Sequence, residues 1–180
     1  MLKAILLVSL LSLTISHSFL ATEYLTNPSP HDIEMFTKGV IEGTHLFDGI
    51  KICHLDDPEI KEDVNKIIQI ISQIKSLEDI MPAITALLPL FKHIQERIIA
   101  IAPECKESEK EVVDIVKRLL DYLSDPNYQT KLVSHTLLNA VKITTKFTTL
   151  KEHLDKGEVN EDTGKMAGDL AEFVLFWNFK

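Results

Sequence analysis

The sequence predicts an all-α protein: an antiparallel bundle of about six helices closed by one disulfide. Three observations lead there. Apolar residues recur at spacings of three and four along nearly the whole chain, the period of a helix with one buried face. Helix-start residues appear at short, regular intervals, so the connecting loops are only a few residues long and favour antiparallel neighbours. Glycine and proline are few, 6 and 7 in 180 residues, and no low-complexity tract or internal repeat is present.

The elements follow in order. Ser29-Pro30-His31-Asp32 has Ser as N-cap, Pro at the first helical position and Asp three residues after the cap. The stripe Ile33, Phe36, Val40, Gly43, Phe47, Ile50 carries that helix toward Cys53. Asp57-Pro58 starts a second helix by the same logic, with Ile60, Val64, Ile67, Ile71 and Ile74 inward and Ile68 widening the face. Isoleucine favours strands, but the 3-4-3 spacing with Lys61, Glu62, Asn65, Gln69 and Gln73 opposite argues helix. Ser76 to Asp79 caps a third helix lined by Met81, Ile84, Leu88, Phe91, Ile94, Ile98 and Ile101. Pro89 lies inside it and is expected to kink or divide it. Pro103 ends it just before Cys105.

Ser108 opens a fourth helix with Val112, Val116, Leu119 and Leu123 inward, stopped at Asp125-Pro126. A long fifth helix follows, carrying Leu132, Ala140, Ile143, Phe147, Leu150 and Leu154, and ends at Lys156-Gly157 with a C′ glycine. Thr144, Thr145, Thr148 and Thr149 weaken its middle. Asn139, near its inward seam, could set helix register or meet a ligand, although a bond to a backbone carbonyl is the simpler expectation. Asn160 to Thr163 opens a last helix reaching Trp177.

Ahead of these helices, Met1-Leu2-Lys3 precedes an apolar run from Ala4 to Ile15, and Ser16-His17-Ser18 offers small residues for cleavage after Ser18. That is the anatomy of a secretory signal peptide, too short for the roughly 20 residues that span a bilayer. The expected organisation is a cleaved leader over 1–18, a flexible segment over 19–28 and a single helical-bundle domain over 29–180, secreted or held in the secretory lumen. In that compartment Cys53 and Cys105, the only two cysteines, are expected to pair, with two buried free thiols as the alternative. The loop so closed is worth roughly 4 kcal/mol on the chain-entropy model. The formal net charge of −8 becomes one unit more negative once Lys3 leaves with the leader. An acidic chain without a basic cluster is a poor partner for nucleic acid, and anionic lipid head groups are disfavoured on the same ground.

Two features stand out. Gly39 and Gly43 lie on or beside the apolar stripe of the first helix, and Gly164 and Gly168 repeat the spacing in the last. A glycine inside a helix costs roughly 1 kcal/mol against alanine, so four at such positions need a reason. Close packing of the two terminal helices across these small faces is the expectation; room for a ligand is the alternative. The order of leader, Phe36-x-x-Gly39-x-x-x-Gly43 helix with Glu42 beside it, Cys53, Cys105 and a final Gly164-x-x-x-Gly168 helix resembles a group of small secreted helical proteins from ciliated protozoa. The resemblance spans most of the mature chain. It implies secretion and a helical fold, and it implies no activity or catalytic residue.

Catalytic and metal motifs are missing from the sequence. It has no His-Glu-x-x-His, no two histidines four apart on one helix, no Gly-x-Ser-x-Gly, no phosphate loop and no EF-hand loop. Cys53-His54-Leu55-Asp56-Asp57 resembles ligands in a row, but a disulfide-bonded Cys53 is no thiolate ligand. Ser134 and His135 are adjacent on a helix, so their side chains diverge by about 100° and share no proton. The function expected is therefore a non-enzymatic structural or interaction module without cofactor, catalytic residue, metal site or stable membrane span, meeting an unknown protein partner. The alternative is an extracellular carrier holding an apolar or lipid-like molecule between helices near Pro89.

Overall fold

A computed structural model describes residues 28–48, 56–104 and 109–179. Among the described residues the protein is all-helical, with seven α-helices: α1 (Pro30–Gly43), α2 (Pro58–Gln73), α3 (Ile80–Ile101), α4 (Glu109–Ser124), α5 (Tyr128–Leu138), α6 (Ala140–Asp155) and α7 (Glu161–Leu175). Short 3-10 turns at Leu77–Asp79 and Ala102–Glu104 flank α3. No helix among these residues is long and apolar enough to cross a membrane. The leader, Cys53 and Cys105 lie outside the described residues.

Local chemistry accounts for the helix starts. The Ser29 hydroxyl accepts from the Asp32 amide while the Asp32 carboxylate accepts from the Ser29 amide, a reciprocal cap. Asp57 accepts from the amides of Glu59 and Ile60. Asn160 and Thr163 form a second reciprocal cap. At the other end of α6, Gly157 takes φ 76°, the left-handed C′ conformation that releases the chain toward α7.

The structure departs from the sequence expectation at four points. First, α1 ends at Gly43 instead of running on toward Cys53. Thr44 turns its hydroxyl onto the Ile41 carbonyl, and His45 adopts φ 51°, which no helix continues through. Second, α3 is not divided by Pro89. Pro89 and Thr85, whose carbonyl loses its partner, are both exposed, and a helix face open to solvent tolerates a lost backbone bond better than a buried one.

Third, the long fifth helix is two helices, separated at Asn139 (φ −113°, ψ 15°). The Asn139 side chain donates to the His135 carbonyl at 2.9 Å, a bond that competes with the helix ladder and makes an elbow. This brings the helix count among the described residues to seven. Fourth, the terminal helices α1 and α7 lie side by side and run in the same direction. Gly164 meets Phe36 and Gly168 meets Val40, so residue numbers rise together along the contact.

One core unites all seven helices. It includes Phe36 of α1, Ile60, Val64 and Ile71 of α2, Ile84 and Ile98 of α3, Val116 and Leu119 of α4, Leu132 of α5, Phe147 and Leu150 of α6 and Val174 of α7. The buried isoleucines of α2 are those that the 3-4 spacing turns inward.

Candidate functional site

The four glycines come together on one seam. An added Cβ at Gly39 would overlap the Glu161 carbonyl oxygen and lie 2.8 Å from the Lys165 nitrogen. At Gly43 it would lie 2.8 Å from the Lys165 Cα; at Gly164 and Gly168 it would strike the carbonyls of Phe36 and Val40. Backbone meets backbone along the seam, and no space is left in it for a ligand. Four charges clasp its outer edge. Lys38 donates to Glu161 at 2.9 Å, and Lys165 pairs with Glu161 at 2.9 Å and with Glu42 at 3.0 Å. Hydrogen bonds from Lys38 and Lys165 pull the Glu161 carboxyl down to about 2. The same contacts, Glu161 first and then Glu42, hold Lys165 well above the ordinary lysine range.

A second polar cluster ties α2 to α3. Asp63 is 3 % exposed and faces His93 Nδ1. Arg97 donates to Asp57 at 2.6 Å and stands 3.3 Å from Glu59, while His93 Nε2 lies 3.6 Å from Glu59. The Asp63 hydrogen bond raises the His93 pKa above its ordinary value, with Glu59 and Glu96 adding to it. The Arg97 guanidinium and two backbone amides hold Asp57 below the usual carboxylate range. The cluster brings carboxylates and cations into pairs, and among the described residues no hydroxyl or thiol nucleophile bonds to His93. No group of three or more His, Cys, Asp or Glu among the described residues is arranged to hold a metal ion.

The third feature is the α5–α6 elbow, which sequence reasoning missed. Its inner side is an aromatic corner. The Tyr128 hydroxyl donates to the Leu175 carbonyl at 3.1 Å, and burial pushes its pKa up. His135 stacks on Trp177 at 4.2 Å and 12°, and its Nε2–H donates to the Phe173 carbonyl at 2.9 Å. Tyr122 packs edge-on against Tyr128, Trp177 and Phe179. These contacts fix α5 against α7. Ser134, neighbour of His135, turns its hydroxyl back onto the Thr130 carbonyl.

The outer side of the elbow carries Val133, Leu137, Leu138 and Val141, exposed at 44, 68, 86 and 83 %. Leu132, Ala140 and Ile143 define the inward stripe expected of one long helix, and these four aliphatics fall off it. The signal was present in the sequence: from Pro126 to Lys151 there is no Asp or Glu, while Lys131, Lys142, Lys146 and Lys151 are all basic. In a chain this acidic, a surplus of aliphatics over one helical face inside a purely basic stretch marks an unusual surface.

The void between Val40, Ile71, Leu87, Phe147, Leu170 and Val174 measures about 20 Å³, room for about one water. A surface groove of about 450 Å³ runs past Ser76, Thr144, Thr148, Lys151, Glu152 and Asp155, with Lys151 already bonded to Asp155 at 2.8 Å. Comparison of the chain with protein-family models, with curated proteins and with solved structures found no match.

Proposed function

We propose that the chain is a secreted, non-enzymatic helical module that acts by contact, with the α5–α6 elbow as its contact surface. The single observation that carries this reading is the cluster of four aliphatics at the elbow, which are the exposed large hydrophobics among the described residues. An exposed apolar cluster of this kind marks an interaction site. The leader over 1–18 supplies export, and the resemblance to secreted helical proteins of ciliated protozoa belongs to the same reading. The His93–Asp63 and Arg97–Asp57 pairs serve the α2–α3 interface rather than turnover.

A disulfide between Cys53 and Cys105 completes the module. Its support is the Asp57–Arg97 ion pair: Asp57 lies four residues after Cys53, Arg97 eight before Cys105. The pairs Asp57–Arg97 and Asp63–His93 also support an antiparallel α2–α3 hairpin, since one residue number rises as the other falls. The carrier alternative gains no support. The void beside Leu87, about 20 Å³, falls far short of the roughly 300–1,000 Å³ of small-molecule pockets, and the groove of about 450 Å³ lies at the surface, lined by Lys151, Glu152 and Asp155 and by no residue of α3.

Two measurements test the proposal. Intact mass of the exported protein should match a chain starting at Phe19 and lacking two thiol hydrogens; a retained leader or two free thiols contradicts export or pairing. A photo-crosslinking residue at Leu138, compared with one at exposed Glu111 on α4, should give adducts specific to position 138 in the native secretion. Equal labelling from both positions removes the elbow as the contact surface.

A further inference from the structure

We infer that the α5–α6 elbow docks on an anionic lipid bilayer, with Leu137, Leu138 and Val141 entering the interface and Lys131 and Lys142 meeting the head groups. This names the partner class of the contact surface proposed above and rests on that reading.

The first argument is charge. The molecule is acidic as a whole, which disfavours anionic lipid, but the stretch from Pro126 to Lys151 contains no acid. Electrostatic influence fades beyond about 8 Å at physiological ionic strength, so the charge beside the patch decides at contact. Lys142 is exposed and lies one residue after Val141 and four after Leu138. Its ammonium rests 5.2 Å from the centre of the Phe173 ring, which leaves its charge free of any carboxylate among the described residues. Lys131 is exposed and only loosely paired with Asp125 at 3.5 Å. Lysines flanking an apolar patch reach head groups by extending their stems along it.

The second argument is that most of the elbow's hydroxyls and the flanking amides of its break are already bonded within it, the buried Thr136 hydroxyl and the uncapped start of α6 excepted. Entry into an interface is costly for any backbone or hydroxyl group left without a partner. Here the Asn139 amide bonds to the His135 carbonyl at 3.1 Å, and the Ile143 amide bonds to the Asn139 carbonyl at 2.9 Å. The hydroxyls of Ser134, Thr144 and Thr145 fold back onto the carbonyls of Thr130, Ala140 and Val141. The elbow thus presents aliphatic side chains at its apex with the hydroxyls of Ser134, Thr144 and Thr145 turned back onto their own helices.

The third argument concerns the other occupants. A second copy meeting the same patch about a two-fold axis would set the lysines of one copy against a surface whose stretch from Pro126 to Lys151 also carries only lysines as its charges. That repulsion opposes self-association. A bilayer supplies an apolar phase and a negative rim together, and both lie where this elbow needs them.

The test uses the full exported chain, co-sedimented with vesicles of phosphatidylcholine alone or with added phosphatidylserine. Binding should appear with phosphatidylserine, fall with added salt and be weak on phosphatidylcholine alone. The variant L138D/V141D should lose binding by about tenfold or more, since two charges would have to enter the interface. K142E should weaken binding and flatten its salt dependence. Both variants change exposed residues, so unchanged thermal melts by circular dichroism separate lost binding from lost folding. Parent-like binding by L138D/V141D, or no binding of the parent to phosphatidylserine vesicles, overturns the lipid assignment. Concentration-dependent dimers abolished by L138D, or protein adducts at position 138, also overturn it and leave the interaction reading standing. Absence of any adduct at position 138, together with no vesicle binding and no dimer, overturns both.

Discussion

At the residue scale, His93 carries the clearest pH dependence. Its imidazolium is stabilised by buried Asp63, which raises its pKa in the folded protein. The contribution to stability is therefore fully present below the unfolded value, near 6.5, and is lost as pH rises through the raised folded value. The urea midpoint should fall across that window, and His93→Gln should remove this part of the decline; an unchanged profile would show that the pair does not act. Gly39 makes a different demand. A methyl group there meets the Glu161 carbonyl and the Lys165 amide, neither of which can move without parting the helices. Gly39→Ala should cost about 3 kcal/mol in chemical denaturation, and a parent-like midpoint would contradict the seam. Asn139 was legible as a residue needing a partner, and its side chain does bond to a backbone carbonyl. Its breaking of the helix was not legible, because asparagine also occurs at unbroken positions.

At the element scale, the starts of α1, α2 and α7 were plain in the sequence, while the start of α6 and several helix ends were not. Caps such as Ser29 to Asp32 and Asn160 to Thr163 act within one turn, so a local pattern suffices. The end of α1 depends on His45 accepting a left-handed backbone, which its neighbours do not announce. Gly157 is the opposite case, a left-handed position occupied by the residue that suits it. Gly157→Ala should lower stability by about 1 kcal/mol, read as a drop in melting temperature. Pro89 sits in an unbroken α3 with its face toward solvent. Pro89→Ala restores a donor for the Thr85 carbonyl and should raise stability by about 1 kcal/mol or more. A fall instead would mean that packing of α3 depends on the local geometry proline imposes.

At the scale of the whole molecule, the two ends of the described chain hold each other. Lys38 and Glu161 are 123 residues apart in sequence and form a direct ion pair. Glu161, drawn down to about 2 by Lys38 and Lys165, contributes stability that is present above its ordinary carboxylate value and lost as pH falls through that value toward about 2. Acid titration of Glu161→Gln should therefore lack part of the parent's loss of stability below about pH 5, followed by far-ultraviolet circular dichroism. Identical acid transitions would show that the clasp contributes nothing. The elbow belongs to this scale as well: α5 is fixed on α7 by His135, Tyr128 and Trp177, and that fixation decides which of its aliphatics stay outside.

The sequence by itself determined the helical class, most helix starts and the inward stripes, because each depends on contacts within a turn or two of one helix. It also displayed the two glycine pairs. Tertiary structure alone decided that α1 and α7 run in the same direction, that α5 and α6 are separate, and that Val133, Leu137, Leu138 and Val141 face outward. The physical reason is that an apolar residue is equally favourable against any apolar surface. Which surface it meets, or whether it meets one, is set by the fit of whole helices against one another.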